Sequence, residues 1–328
     1  MLVEKIKKTI KSYGLISKND KVLVCVSGGA DSLALLYLLY ALKKEFSLKL
    51  YVAHLDHMLR KDSSKDREFV RGISCKLGLP LISGKVDLGV HAKGAGSLEE
   101  AARNARFGFF FKAAKKLKAD KIALGHNLDD QAETVLMRVL RGAGLYGLSA
   151  ILPKRQVKGH WLIRPLIETR RKEIEAFLKR KKVTPRIDKT NLEEVFFRNK
   201  IRHNLLPILE KTYNPNIRKV LCNMAESAVY DYDYLNRAAV LAVGRAAKRI
   251  SLKKLLSLHP AIRRLALRLL ISKIKGDTRR ITYKHILELE NLIFVRPLNS
   301  IVDLPKGISV KKYKNWLIFH KRKEIKNT

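Results

Sequence analysis

The chain has 328 residues, 46% hydrophobic and 30% charged, enough for about two domains with real cores and far from the composition of a disordered or fibrous protein. Its 68 lysines and arginines face 30 aspartates and glutamates, a net charge of +38. An excess this large repels itself and calls for a polyanionic partner, nucleic acid first and an anionic membrane surface second, with a generally basic proteome as a contributor. The longest apolar run, Leu33 to Leu42, falls well short of the ~20 residues of a spanning helix. Met1 to Lys8 reads as an amphipathic helix start rather than a signal-peptide core. Cys25, Cys75 and Cys222 show no CxxC spacing, which favours inert thiols in a reducing cytoplasm over a metal or redox cluster. The expected setting is therefore cytoplasmic, without a membrane partner.

In chain order, Val22 to Val26 is a buried-strand run, followed by a glycine turn and a buried helix over Leu33 to Leu42. Leu50 to Ala53 is a second strand, Arg67 to Leu77 a helix, and Pro80 to Ile82 a third strand. Ser97 to Leu117 reads as a helix capped by Ser97, with Glu100 three residues on. Lys121 to Leu124 is a fourth strand and Asp129 to Arg141 a helix. This alternation predicts an α/β fold with a parallel sheet, whose ligands bind at the carboxyl ends of the strands. Asn204 to Leu221 and Met224 to Ile250 read as mostly helical, with a break at Tyr213 to Asn216. Two or three helices follow over 251–294, then short strands from Asn299 to His320 and a basic tail. The change of pattern divides the chain into 1–205 and 206–328.

Ser27-Gly28-Gly29-Ala30-Asp31-Ser32 follows the first strand and opens a helix. Glycines let backbone approach a phosphate, and a helix start offers unpaired amides and a positive dipole end. Asp31 repels a phosphate unless it holds Mg²⁺ that bridges the two. There is no lysine before the last serine, as a Walker loop requires, and no G-x-G-x-x-G. A capped tight turn is the weaker alternative.

Further along, Ala53 and His54-Leu55-Asp56-His57 end the second strand, where pocket lining is favoured over metal binding. Arg103 and Arg106 share one helix face; a Glu99–Arg103 ion pair is an equal alternative for that pair. Gly125-His126-Asn127-Leu128-Asp129-Asp130-Gln131-Ala132-Glu133-Thr134 places two carboxylates at a helix start, where one is expected to be the cap. Arg198 and Arg202, four apart, suit phosphate or carboxylate contacts, against the alternative of a solvated basic face.

The Ser27–Ser32 loop matches the signature of the PP-loop ATP pyrophosphatases. With Val52 to His57, Ser97 to Arg106, Gly125 to Leu148, Arg164-Pro165-Leu166 and Asp188 to Pro207, the chain resembles the tRNA(Ile)-lysidine synthases, strongly over about the first 220 residues. The longest members carry a further C-terminal domain, for which this chain looks too short. The resemblance implies a PP-loop (adenine nucleotide alpha hydrolase-like, Rossmann-like) catalytic domain over 1–205 and a mostly helical, basic tRNA-binding domain over 206–328. It implies ATP, Mg²⁺, L-lysine and an isoleucine tRNA with a CAU anticodon as cofactors and partners; a second copy of the chain is left open. The reaction implied is ligation of lysine to carbon 2 of the wobble cytidine through an adenylated cytidine, releasing AMP and pyrophosphate. Ser27, Gly28, Gly29, Ala30, Asp31 and Ser32, with Ala53 and His54, would hold ATP, and Asp31 the metal. Asp31, Arg106 and Asp130 would be catalytic. Glu133 would meet the lysine ammonium, and Arg198 and Arg202 the tRNA or the lysine carboxylate. Lys311, Lys312, Lys321, Arg322 and Lys323 would grip tRNA backbone. The competing readings are a tRNA thiolase of the same superfamily, disfavoured by unpaired cysteines, a non-catalytic RNA-binding protein, and a small-molecule amidotransferase, whose acceptor would not need the charge.

Overall fold

The computed structural model describes residues 1–56, 63–86, 98–186, 197–244 and 248–321. His57, Ser97, Asp188 to Asn191, Arg322 and Lys323, singled out above, lie outside the described residues, as does the Glu99 side chain. The chain divides into two compact units, Met1–Ser227 and Ala228–Thr328.

Unit 1 is built on a six-stranded sheet of order β3-β2-β1-β4-β6-β5. Strands β1 (Lys21–Cys25), β2 (Lys49–Asp56), β3 (Leu81–Lys85), β4 (Lys121–Ala123) and β6 (His160–Ile163) run parallel, and β5 (Lys154–Val157) pairs antiparallel with β6 at the edge. Successive residues of a strand point to opposite faces, and both faces here are covered. Val22, Val24, Leu50, Val52 and Ile163 face a core with helices α1 (Leu2–Ser12) and α2 (Ala30–Ala41). Leu23, Cys25, Ala53, Ile122 and Leu162 face the other, filled by Phe110, Ala113 and Ala114 of α4 (Leu98–Leu117). This two-sided burial explains why the strands read as continuous apolar runs. Helix α2 is buried along Leu33, Leu35, Leu36, Leu38 and Leu39, because it lies over the sheet between α1 and the later helix α6 (Arg171–Arg180). Helix α3 (Ser63–Lys76) links β2 to β3.

The chain leaves β1 toward β2 and β3, then returns to place β4 on the other side of β1. The crevice at the carboxyl ends of β1 and β4 is thus the topological switch point, where open parallel sheets bind ligands. Helix α5 (Leu128–Val139) follows β4, and its Ala132, Val135 and Leu136 pack with Ile201, Leu206, Leu221 and Ala225. That third cluster carries residues 206–227 into unit 1, so the contact division falls after Ser227 rather than near residue 205. Helix α7, from Phe197 to Tyr213, contains two π-helical stretches, Ile201–Leu205 and Leu209–Tyr213, and α8 (Ile217–Val243) follows the expected break.

Unit 2 contains α9 (Leu252–Ser257), α10 (Pro260–Lys275) and α11 (Tyr283–Phe294) and an antiparallel sheet of order β7-β10-β9-β8: β7 (Arg249–Ser251), β8 (Ile301–Leu304), β9 (Ile308–Lys312) and β10 (Trp316–Lys321). Arg249 and Ile250, expected to end a helix, instead pair with β10, burying Ile250.

Gly125, where β4 turns toward α5, is required by close approach. A Cβ there would sit 3.1 Å from both the Asp31 carbonyl carbon and the Ser32 amide nitrogen, and backbone cannot swing aside. Gly125→Ala is expected to lower stability by about 1–3 kcal/mol, measured by urea unfolding, because the first turn of α2 must move.

Candidate active site

The loop after β1 turns through Gly28, whose φ of +96° is costly for any other residue, and reaches α2 at its N-cap, Gly29. The Ser27 amide donates to Ser32 Oγ (3.1 Å), Ser32 Oγ donates to the Gly29 carbonyl (2.9 Å), and the Gly29 amide donates to Ser27 Oγ (3.3 Å). With the Ser32 proton on Gly29, the 3.2 Å contact between the hydroxyls has Ser27 as donor. No side chain caps α2, so the first amides of a fully formed helix, which have no intrahelical partner, are left for an anion. These residues open onto a cleft of about 1190 Å³ at the switch point. The Arg186 amide donates to the Gly28 carbonyl at 3.0 Å, and its guanidinium pairs with Asp66 at 2.9 Å.

Across the cleft stands the start of α5. Its N-cap is Asn127, not an aspartate: the Asp130 amide donates to Asn127 Oδ1 (2.9 Å) and the Asn127 amide to Asp130 Oδ2 (3.1 Å), a closed capping box. The expectation that one of the two aspartates is the cap is corrected; the helix begins one residue earlier, and Asn is as good a cap as Asp. Asn127 Nδ2 also donates to Asp31 Oδ1 at 2.9 Å, so one residue bonds both sequence-predicted carboxylates, Asp31 through its side-chain amide and Asp130 through its backbone N–H. Asp129 also lines the cleft, accepting from the Arg171 amide (2.7 Å) and pairing with Arg218 (3.0 Å). Burial first, then the charge of Asp130, pushes the Asp31 carboxyl up to about 6, against the pull of Arg171, Asn127 and Arg202.

Glu133, one turn further along α5, is 1% exposed. Its two oxygens take Arg198 Nε (2.8 Å) and Arg202 Nε (2.6 Å), and both guanidinium groups also reach Asp130 (2.8 and 3.3 Å). Arg198 and Arg202 share one face of their helix as the spacing predicted, but here they face carboxylates. Arg103 and Arg106 of α4 line the cleft, with Arg103 stacked over Phe107 at 5.2 Å. His126 also lines it, and Arg164 Nε donates to its Nδ1 at 3.2 Å. Burial and the neighbouring arginines, Arg164 foremost, hold the His126 pKa far below the ordinary value, so the neutral ring carries its proton on Nε2. Ala53 and His54 are buried behind the loop and do not line the cleft. The Ala53 carbonyl accepts from the Val26 amide (2.8 Å), and His54 Nδ1 lies 2.8 Å from the Val26 carbonyl.

A PP-loop domain model matches residues 1–209. The tRNA(Ile)-lysidine synthase of Clostridioides difficile is 37% identical over 327 residues, which cover 97% of this chain and 70% of that protein. That of Caldanaerobacter subterraneus subsp. tengcongensis is 39% identical over 330 residues, 98% of this chain and 70% of that protein. The chain belongs to the tRNA(Ile)-lysidine synthase family. Among solved structures, a U34-tRNA thiolase from Methanococcus maripaludis with its [4Fe-4S] cluster superposes with a TM-score of 0.59 at 20% identity, covering 70% of this chain and 78% of that one; the likeness is one of fold.

In this lysidine-synthase-family site, reading the sequence missed Arg171, Arg186 and Arg218. Arg171 Nη1 lies 3.8 Å from Asp31, and all three line the cleft. The one available signal was the pair Arg170-Arg171 ahead of Glu173, whose carboxylate accepts from the Arg170 amide at 2.8 Å where α6 opens.

A carboxyl with a raised folded-state pKa destabilises the fold once ionised. The penalty is absent at the bottom of the acid range, grows as pH rises past the ordinary aspartate value, and is complete above about 6. Asp31→Asn, which keeps the oxygen that accepts from Asn127, is therefore expected to be more stable than the parent above pH ~6, with the gain fading toward pH ~4. Urea midpoints across that range check it.

Proposed function

We propose that the chain ligates L-lysine to carbon 2 of the wobble cytidine in the CAU anticodon of isoleucine tRNA, consuming ATP with Mg²⁺ and passing through an adenylated cytidine. The observation that carries the reading is the meeting of a phosphate-type loop, Asp31 and Asp130 at one switch-point cleft, in a chain of this family. AMP transfer to the cytosine carbonyl oxygen turns a poor leaving group into a good one; the lysine amine then adds at carbon 2, AMP departs, and the amine proton is lost. Most of this is positioning and charge stabilisation.

The residues fit those demands. The loop amides and Ser27 and Ser32 suit a triphosphate. Among the described residues no group of three metal-ligating side chains occurs, which matches Mg²⁺, a cation commonly held by one or two carboxylates plus substrate phosphates. Asp31, facing the cleft beside the loop, would be its protein ligand; bound there, Mg²⁺ would neutralise charge on the departing pyrophosphate. Arg106 stabilises the transferring phosphoryl group. The Asp130–Glu133–Arg198–Arg202 patch suits a free amino acid, offering carboxylates to an ammonium and guanidinium groups to a carboxylate. Since Arg198 and Arg202 already occupy both Glu133 oxygens, lysine exchanges for one of these pairings as it binds. No helix among the described residues is long and apolar enough to cross a membrane, in keeping with a cytoplasmic tRNA enzyme. A sulfur-transfer reading lacks its thiol pair: Cys25, Cys75 and Cys222 sit on β1, α3 and α8, and burial pushes the Cys222 thiol up to about 12.

Labelled lysine is expected to enter unmodified isoleucine tRNA bearing CAU only with ATP and Mg²⁺. Asp31→Ala should lower that rate at least ~10²-fold, the scale of losing one charge-stabilising group. A folded chain that binds ATP yet incorporates no lysine sinks the assignment and leaves a PP-loop enzyme with another acceptor.

A further inference from the structure

The second unit carries 23 lysines and arginines against seven carboxylates over residues 228–328, and its sheet has two unlike faces. Ile250, Leu317, Phe319, Val310, Ile308, Val302 and Leu304 point inward, packed with α10 and α11. The strand register places the alternate residues on the other face in cross-strand rows: Arg249–Ile318–Lys311–Ile301 and, beside it, Ser251–Trp316. Trp316 remains 37% exposed and Ile301 52%. The Arg249 guanidinium lies over the Trp316 ring at 4.7 Å, and Lys311 Nζ over the Tyr313 ring, in the β9–β10 turn, at 5.0 Å. Asp303 is the one carboxylate on this face among the described strand residues.

We infer that this outer face is a stacking platform for unpaired nucleotides of the tRNA, a reading that deepens the function proposed above and rests on it for the identity of the ligand. Charge alone would suit any stretch of phosphate backbone. What singles out unpaired bases is a large aromatic ring left partly open among cations on a sheet face. Every base has a π face that stacks on such a ring, and guanidinium planes and ammonium groups beside it meet the phosphates. An apolar protein partner would not call for Arg249 and Lys311 interleaved with Trp316 and Tyr313. A duplex would use the cations and leave the indole idle. The platform therefore adds selectivity for an exposed loop or single-stranded end over helical RNA.

The chain has two tryptophans, so Trp161→Phe leaves Trp316 as the reporter in the full-length protein. At low salt, an RNA oligonucleotide of about ten nucleotides and unmodified isoleucine tRNA should each quench its fluorescence to saturation, while a blunt RNA duplex should not. Trp316→Ala should raise the KM for tRNA about 5- to 100-fold, the range for one lost base stack, with kcat within about twofold, and Trp316→Phe should recover most of it. Absent quenching, or equal quenching by the duplex, overturns the platform. Lysine incorporation by the same Trp161→Phe protein separates the two proposals: incorporation without quenching removes the platform and leaves the ligase, whereas quenching without incorporation does the reverse.

Discussion

Two carboxylates held close together in a half-buried cleft repel each other, and that repulsion organises the site. Asp31 and Asp130 follow neighbouring strands at the switch point and are tied through one residue, Asn127, whose side-chain amide bonds Asp31 and whose backbone N–H bonds the Asp130 carboxylate. Burial first, and then the charge of Asp130, pushes the Asp31 carboxyl up to about 6. Arg202 on one side and Arg171 on the other pull the Asp31 carboxyl back toward its ionised form, while Arg198 and Arg202 both pair with Asp130. A divalent cation, or the ammonium group of an amino acid, would relieve the same repulsion further. The repulsion between these carboxylates would thus favour binding of the ligands proposed for the cleft.

The backbone makes this juxtaposition possible. The phosphate-type loop must follow β1 and the acidic helix must follow β4, since only the neighbouring strands at the switch point bring two such ends together. Gly125 then lets the β4 turn press against the first turn of α2 with no side chain between them. Behind the loop, Val26 pairs with Ala53 and His54. Those two residues therefore act on the cleft by fixing the loop's backbone rather than by lining it.

Features whose cause is local were legible in the sequence. The apolar runs of β1, β2 and β4, the glycine corner after β1 and the four-residue spacing of Arg198 and Arg202 each depend on a few adjacent residues. What stayed hidden depends on distant partners. Asp129 and Asp130 are neighbours, yet Asp129 is taken by Arg171 and Arg218, which no local pattern links to it. The end of unit 1 was hidden for the same reason: Leu221 and Ala225 belong with Val135 of α5, although their own helix continues through the boundary. The π-helical stretch Ile201–Leu205 has no signature in the side-chain pattern, although it holds Arg202 at the cluster.

Positive charge in this chain serves two different ends. In the cleft it is matched: Glu133, at 1% exposure, is acceptable there only because two guanidinium groups cover both its oxygens, and removing either would strand a buried charge. In unit 2 even the acids that do occur are largely claimed, Glu290 by Arg263 and Arg264, Asp277 by Lys275 and Arg279, and Glu288 by Arg296. Those pairs neutralise carboxylates that would otherwise repel a polyanion, and the unit's remaining excess of lysine and arginine is left to act outward. Matched charge fixes where the reacting groups stand; surplus charge sets how strongly, and at what ionic strength, a long anionic substrate is drawn to them.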